Sequence, residues 1–175
     1  YPEKNLCRNI IRKISDDSYR LIKLLQQIKL QKITFNDSVL PEWKMLTQIR
    51  ERLSDFDVEV EIISLYDHEY KDCLGCEACI LRGACVLIDD TESLMQRLSE
   101  ADGIILSSPV YMQQISGRLK TFVDRTCKWY HRPALAGKPV LVLATTKGSG
   151  LRQTLKYLQS VAVQWGAIPA GTVGR

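Results

Sequence analysis

Short apolar strand patterns alternate with helical patterns along this chain, and this alternation constrains the fold more than any other feature. Strands are predicted at 32–35, 58–63, 103–106, 138–144 and 168–173. Helices are predicted at 4–29, 41–53, 89–100 and 116–130, and from Gly150 to about 165. Strands that alternate with helices form a parallel sheet with helices packed on its faces. The sequence therefore predicts a parallel α/β domain at 31–175, preceded by a helical extension at 1–30.

Composition narrows the class of protein. With 175 residues, of which 45% are hydrophobic, the chain has the ordinary make-up of one globular domain. Its net charge of +4 is too small for the basic stripe of a nucleic-acid-binding protein, and no apolar run is long enough to predict a membrane span. Clustered cysteines without a secretory signal favour a reducing compartment, with the cytoplasm as the expectation. A start at Tyr1 and an end just after a strand pattern lead us to expect a fragment.

Four of the six cysteines fall within thirteen residues, in the spacing C-x2-C-x2-C-x5-C. They are Cys73, Cys76, Cys79 and Cys85. Ferredoxins bind iron–sulfur clusters with a compact run of the same kind, whereas structural zinc sites more often use two separated C-x2-C pairs. Gly75 and Gly83 allow the backbone to curl around one centre. The spacing favours a [4Fe-4S] cluster; another metal, or free thiols or a redox disulfide in a packed loop, are the alternatives.

Three loops follow predicted strands, at 36–38, 107–114 and 145–150. Ligands of open parallel sheets bind beyond the carboxyl ends of the strands. Gly148 and Gly150 remove side chains where a flat ring would approach the backbone, and Tyr111 supplies an aromatic face. Small hydroxyl donors stand at Ser107, Ser108, Thr145, Thr146 and Ser149. Together these features predict a ligand site at this edge of the sheet.

An ordered series of sequence blocks from 57 to 174 resembles the iron–sulfur flavoproteins, within the wider group of NAD(P)H-dependent FMN reductases. The blocks are C-L-G-C-E-A-C-x5-C, D-D, A-D-G-I-I-L-S-S-P-V-Y, S-G-R-L-K-T-F-V-D-R and G-K-P-V-L-V-L-A-T-T-K-G-S-G. The resemblance implies a flavodoxin-like fold of three layers, α/β/α, with a five-stranded parallel sheet in the order 2-1-3-4-5. It also implies a homodimer or homotetramer; the absence of a nucleic-acid or membrane partner is expected from the composition alone.

The same resemblance implies two cofactor sites. A [4Fe-4S] cluster is expected on the four clustered cysteines. FMN is expected at the strand ends, on Asn36, Ser38, Ser108, Pro109, Val110, Tyr111, Met112, Gln113, Thr145, Thr146, Lys147, Gly148, Ser149 and Gly150. The family's first loop usually reads G-S-x-R and holds the FMN phosphate, but only Asn36-Asp37-Ser38 stands here. Either a segment is missing or this phosphate site has been rebuilt or lost.

The function expected from these sites is electron transfer by an FMN- and [4Fe-4S]-containing oxidoreductase, with NAD(P)H or ferredoxin as electron donor. One alternative is a cluster-free NAD(P)H-dependent FMN or quinone reductase. A second alternative is a non-enzymatic docking module stabilised by a metal. No catalytic residue is assigned, because His68 and His131 are interpreted as structural or exposed.

Several charged residues around these motifs have an interpretation of their own. Asp89 and Glu92 have the spacing of a capping box at a helix start. Lys71 and Arg82 flank the cysteines and either favour a reduced cluster or are merely solvated. The helix predicted after 116 carries Lys120, Asp124 and Arg125. Two interpretations of these residues are left open: they form ion pairs on a solvated helix face, or they contact the flavin directly.

Overall fold

The computed structural model describes residues 32–36, 40–55 and 58–174, with side chains from Trp43 onward. The helical extension predicted at 1–30 lies outside the described residues, as do Asp37 and Ser38 of the first loop. For Asn36 only the backbone is described.

A parallel sheet forms the centre of the domain. Its strands are β1 (Lys32–Asn36), β2 (Glu59–Ile63), β3 (Gly103–Pro109), β4 (Pro139–Thr145) and β5 (Ile168–Gly174). They lie in the order β2-β1-β3-β4-β5, and each neighbouring pair is parallel. All of β3 is buried, as is β4 after its first residue, which suits strands covered on both faces. The predicted parallel α/β fold is therefore confirmed.

Helices cover both faces of this sheet. They are α1 (Leu40–Ser54), α2 (Ala78–Arg82), α3 (Thr91–Glu100), α4 (Gly117–Arg125), α5 (Cys127–His131) and α6 (Leu151–Gln164), with a 3₁₀ turn at Leu65–Asp67. On one face, Leu46 and Leu53 of α1 pack with Ile105 of β3. On the other, Ile104 and Leu106 pack with residues of α3, α4 and α6. Successive β3 side chains thus enter opposite cores, as the two-residue period of a strand requires.

The helices differ from the sequence prediction in two places: one predicted helix is divided in two, and one short helix was not predicted. The helix predicted at 116–130 is in fact α4 and α5, separated at Thr126. The Thr126 hydroxyl donates to the carbonyl of Val123 at 2.7 Å and accepts the indole N–H of Trp165 at 2.8 Å. These bonds hold the chain in a turn at Thr126, although the apolar spacing of the sequence predicts that one helix continues through this residue. The second difference is α2, a single five-residue helix within the cysteine segment, which is too short to give a periodic signal.

None of the helices in the described ranges is long and apolar enough to cross a membrane.

Candidate functional site

The loops after β3 and β4 lie side by side at the carboxyl edge of the sheet. The amide of Val110 donates to the carbonyl of Thr145 at 2.8 Å. Beyond it, Tyr111 and Gln114 exchange two backbone hydrogen bonds, of 2.8 and 3.0 Å, around a two-residue turn. This places the predicted flavin segments, 108–113 and 145–150, on one edge.

Both turn residues, Met112 and Gln113, have left-handed backbones, with φ values of 47° and 66°. A type I′ hairpin turn needs positive φ at both central positions, where Gly, Asn and Asp are the usual residues. Non-glycine residues in this region are strained by about 1–3 kcal/mol each, and such residues cluster at ligand clamps and switch regions. Met112 is almost fully exposed at the tip of the turn.

The two glycines of the second loop have different structural positions. Gly150 has a φ of +94°, and a Cβ there would lie 2.5 Å from Gln113 Cα and 2.9 Å from Val110 Cγ1. Glycine at 150 therefore allows the second loop to pack directly on the first. Gly148 is exposed, and a Cβ on it would meet no atom within 4 Å. The space beside Gly148 is open to a ligand.

The hydroxyl groups predicted to contact a ligand are partly used by the loops themselves. Ser108 is buried; its Oγ donates to the carbonyl of Pro109 and accepts the amide of Ser116 at 3.0 Å, just before α4. The Thr146 hydroxyl accepts the amide of Gly148 at 3.0 Å. The predicted site residues that lie exposed on this edge are Tyr111, Met112, Gln113, Lys147, Gly148 and Ser149. Backbone groups and these exposed residues are therefore what the edge presents to a ligand.

The four clustered cysteines line one pocket. Its other lining residues are Leu74, Glu77, Val86, Leu87 and Arg125. Gly75 and Gly83 both have left-handed backbones, with φ values of 64° and 77°, a conformation that glycine adopts without steric cost. The amide of Gly75 donates to Cys73 Sγ at 3.5 Å.

Every cysteine within the described ranges is a free thiol. Among those same residues, no three His, Cys, Asp or Glu side chains form a group that could hold a metal ion.

Helix α4 anchors the segment that leads into this pocket. Arg118, Thr121 and Arg125 are spaced three and four residues apart and share one face of the helix. Arg118 Nε donates to the carbonyl of Leu65 at 3.0 Å, and its guanidinium lies 3.7 Å from the centre of the Tyr70 ring. Further anchors are the bonds from Thr121 Oγ1 to Asp72 Oδ1, at 3.0 Å, and from Arg125 Nη1 to the Lys71 carbonyl, at 2.7 Å.

Arg125 and Asp89 form a buried, two-pronged ion pair. Their N–O distances are 2.6 and 3.1 Å, and their side chains are only 1% and 8% exposed. Burial by itself raises the pKa of Asp89, but hydrogen bonds from Arg125, Thr91 and the Lys71 amide outweigh it and hold that pKa well below its usual range. Arg125 Nη2 also lies 3.5 Å from Cys85 Sγ. The pair therefore connects α4, the cysteine pocket and the start of α3.

These contacts decide three of the interpretations made from sequence. Lys120 and Asp124 form an ion pair of 2.5 Å on an exposed helix face, as one of the two interpretations predicted. For Arg125 the prediction of a solvated ion pair is wrong, because its ion pair with Asp89 is buried. Asp89 accepts the amide of Thr91 near the start of α3, whereas Glu92 binds Lys128 instead of completing a capping box.

The cation at the cysteine pocket was not identified from the sequence. Lys71 and Arg82, which flank the cysteines, are exposed and do not line the pocket; Arg125 does. The sequence feature that could have identified Arg125 is the set of polar residues at 118, 121 and 125, which lie at helical spacing. Such a stripe is normally a solvated face, so its burial was not predicted.

Cys127 is a second residue that the sequence did not associate with the site. It lies outside the cysteine motif, at the start of α5, yet its side chain interacts with Cys79. Burial, the Cys79 and Cys73 thiols and Glu77 together raise the pKa of Cys127. The pocket therefore has a fifth thiol beside it.

Both histidines lie where the sequence interpretation placed them. His68 is partly buried, with Nδ1 3.5 Å from Asp90 Oδ2 and Nε2 3.5 Å from Arg97 Nη1. His131 is exposed and its ring contacts Tyr130 edge to face. Neither contributes to the cysteine pocket.

Comparison with known proteins confirms the resemblance seen in the sequence. A family model described as NADPH-dependent FMN reductase matches residues 42–174. An iron-sulfur flavoprotein of Archaeoglobus fulgidus is 34% identical over 129 residues, which is 73% of this chain and 59% of that protein. An iron-sulfur flavoprotein of Methanocaldococcus jannaschii is 40% identical over 97 residues, or 54% of this chain and 50% of that protein. The chain thus spans only half to three-fifths of the length of these relatives.

Two further matches bear on function and fold. A quinone reductase of Escherichia coli is 31% identical over 80 residues, which is 41% of this chain and 42% of that protein. The crystal structure of a WrbA-like flavodoxin from Agrobacterium tumefaciens superposes with a TM-score of 0.54 and 18% identity, covering 80% of this chain and 76% of the other. At that identity the likeness shows the fold alone, which is flavodoxin-like.

The lowered pKa of Asp89 predicts a pH-dependent stability. Its carboxylate stabilises the fold fully above the unfolded-state pKa, about 3.9, and this contribution is lost as pH falls toward the lower folded-state pKa. At neutral pH, Asp89→Asn should lower the free energy of unfolding by about 3 kcal/mol, because it leaves Arg125 buried without its partner. The difference from wild type should shrink below about pH 4. Denaturant unfolding at several pH values measures both.

Asp124→Asn is the matched control, since Asp124 pairs with Lys120 on an exposed face. Its effect should stay below about 1 kcal/mol at every pH. A stability difference for Asp89→Asn that does not change between pH 7 and pH 3 would contradict the assignment.

Proposed function

The chain belongs to the NADPH-dependent FMN reductase family, and from that premise we propose that it is an FMN-dependent oxidoreductase that also carries a [4Fe-4S] cluster. The observation that carries the proposal is the single pocket lined by Cys73, Cys76, Cys79 and Cys85. The similarity to two proteins named iron-sulfur flavoproteins supports it. In this function the protein passes electrons between a donor, NAD(P)H or ferredoxin, and an acceptor.

The residue types that line the cysteine pocket suit an iron–sulfur cluster, although among the described residues their side chains, as positioned, do not form a group that could hold a metal ion. Such clusters are held by four cysteine thiolates, and four free thiols line this pocket. Leu74, Val86 and Leu87 contribute apolar surface to its lining, and the first two are also exposed to solvent. The Gly75 amide and the Arg125 guanidinium donate toward two of the sulfurs. Hydrogen bonds to sulfur and the degree of solvent exposure are the means by which proteins tune such a centre.

The strand-end loops fit the isoalloxazine ring of FMN. A flat ring that contacts backbone needs a surface without side chains, and the edge beside Gly148 is open. Tyr111 and Met112 are exposed on the neighbouring hairpin, where they can contact the ring. Lys147 adds a positive charge to the same edge. We propose that segments 108–113 and 145–150 hold the ring and that Asn36 and Ser38 contribute to FMN binding.

Together these cofactors would supply exchange between two-electron hydride chemistry and one-electron transfer. The chain's own part is to hold, orient and shield them. Helix α4 holds the segment before the cysteine loop through Arg118 and the loop itself through Arg125, and Ser108 fixes the start of that helix to the end of β3. No proton-transfer residue is proposed.

A cluster-free reductase is the second candidate, because the chain is similar to a quinone reductase of Escherichia coli over 80 residues. In that case the four thiols would remain free and the flavin site alone would act. Iron content separates this candidate from the first.

We also propose that the protein assembles as a homodimer or homotetramer in a reducing, cytoplasmic setting. Four large apolar side chains of the cysteine segment are exposed: Leu74, Leu81, Val86 and Ile88. Contiguous exposed apolar patches mark interaction surfaces, and we propose that these four side chains form such a patch. The free thiols of the described residues suit a reducing compartment.

The cluster is tested by iron analysis. Anaerobically purified protein should contain about four irons and four sulfides per chain. Cys79→Ser should lose most of this iron, because it removes one of the four thiolates. Cys127→Ser is the matched control: it changes a neighbouring thiol outside the motif and should keep the iron. Wild-type protein without iron, or full iron in Cys79→Ser, would favour the cluster-free reductase.

The flavin site is tested by two glycine variants. Gly148→Val should remove most bound FMN with little change in melting temperature, because the new side chain meets only open space in the fold. Gly150→Ala should lower both, since its Cβ would collide with the backbone of Gln113 in the first loop. Flavin absorbance after gel filtration and thermal unfolding give the two readouts. Full flavin occupancy in Gly148→Val would place the ring elsewhere.

The assembly is tested by light scattering. Wild-type protein should have the mass of two or four chains, and Ile88→Lys should shift it toward one, because a charge would be placed in the apolar contact. Val163→Lys is the control, an exposed apolar residue on α6 outside the cysteine segment. A monomeric wild type, or an unchanged mass for Ile88→Lys, would refute the proposal.

A further inference from the structure

Arg125 is the buried cation in the wall of the cysteine pocket. It lines that pocket together with all four clustered thiols, and its side chain is only 1% exposed. Placing a guanidinium away from water is unfavourable unless its N–H groups find acceptors. The acceptors it has are the Asp89 carboxylate, the Lys71 carbonyl and the Cys85 sulfur.

One donor of Arg125 still lacks an acceptor. Its Nε is buried without a hydrogen-bond partner among the described residues. A buried N–H that finds no partner costs about 1–3 kcal/mol, and such groups are rare in folded proteins. The guanidinium therefore has more hydrogen-bonding capacity than the protein atoms around it satisfy, on a residue that borders the pocket. The sulfur atoms of a bound cluster are hydrogen-bond acceptors, and a buried donor such as the Nε–H group of Arg125 requires an acceptor.

We propose that Arg125 is a positioning residue for the cluster, which holds the Cys85 thiolate through Nη2 and raises the cluster's reduction potential. The inference rests on the proposed function, because it requires a cluster in the pocket. Reduction adds one negative charge to the cluster, and a fixed positive charge beside a coordinating sulfur stabilises that charge.

Asp89 has the opposite electrostatic effect and a separate task. It does not line the pocket, but its two oxygens hold both terminal nitrogens of Arg125 in place. Its negative charge partly offsets the field of the guanidinium at the cluster. Removing Asp89 and removing Arg125 should therefore move the potential in opposite directions, whereas mere structural damage would give no such pattern.

The test compares cluster reduction potentials in three proteins: wild type, Asp89→Asn, and Asp89→Asn with Arg125→Met. The double variant leaves no unpaired buried carboxylate, so its comparison with Asp89→Asn measures the effect of the Arg125 charge. Potentials are measured anaerobically by titration with dithionite and redox mediators, followed by electron paramagnetic resonance and visible absorption. Iron and sulfide are assayed on the same samples.

We expect Asp89→Asn to have a higher potential than wild type. One-electron reduction should be at least tenfold less favourable in the double variant than in Asp89→Asn, a fall of about 59 mV. Lys120→Met is the charge control, because Lys120 lies half-exposed on the same helix and does not line the pocket; its potential should match wild type. If the double variant does not fold, Arg125→Lys replaces it in the test. This variant retains the positive charge without the planar guanidinium, so its reduction potential should fall below that of wild type by a smaller amount.

Equal potentials in Asp89→Asn and the double variant, with full iron in both, would overturn the role of Arg125 and leave the proposed function intact. Wild-type protein without iron would overturn the proposed function and this inference with it. Iron lost only when Arg125 is replaced, from protein that remains folded, would support the positioning of Cys85.

Discussion

The cysteine pocket depends on one buried interaction, the ion pair of Arg125 and Asp89. Burying two charges gains little stability over apolar packing, whereas losing one partner costs about 3–5 kcal/mol. The pair is therefore better understood as a device that fixes positions. Through it, helix α4 holds the carbonyl of Lys71 before the pocket, the sulfur of Cys85 within it and the first turn of α3 beyond it. A loop rich in left-handed backbone is held in one shape by these contacts.

Helix α4 also connects the two candidate sites. Just before it, the amide of Ser116 donates to the hydroxyl of Ser108 at the end of β3, beside the strand-end loops. At its last residue, Arg125 reaches the cysteine pocket. At 1.5 Å per residue, these two ends are about 13 Å apart along the helix. The apolar face of the helix, with Leu119 and Phe122, is buried in the core, so the helix holds both ends in a fixed relation to the sheet.

The sequence predicted the parallel sheet well because buried parallel strands are nearly continuous apolar runs, which β3 and β4 show clearly. It predicted that Gly75 and Gly83 shape the cysteine loop, since few other residues tolerate positive φ. It missed the break at Thr126 and the burial of Arg125, because both depend on tertiary partners, Trp165 and Asp89, that are distant in sequence. Periodicity reports which face of a helix is apolar, not whether its polar face is covered.

The strand edge and the cysteine pocket use their polar groups in different ways. At the strand edge, the hydroxyls of Ser108 and Thr146 are occupied in shaping the loops, which leaves backbone and exposed side chains for a ligand. At the cysteine pocket, the buried Arg125 guanidinium donates toward the sulfur of Cys85. A flat, uncharged ring is recognised by shape and backbone contact, whereas a charged metal–sulfur centre responds to nearby charge. The division of polar groups therefore matches the two kinds of cofactor proposed for the two sites.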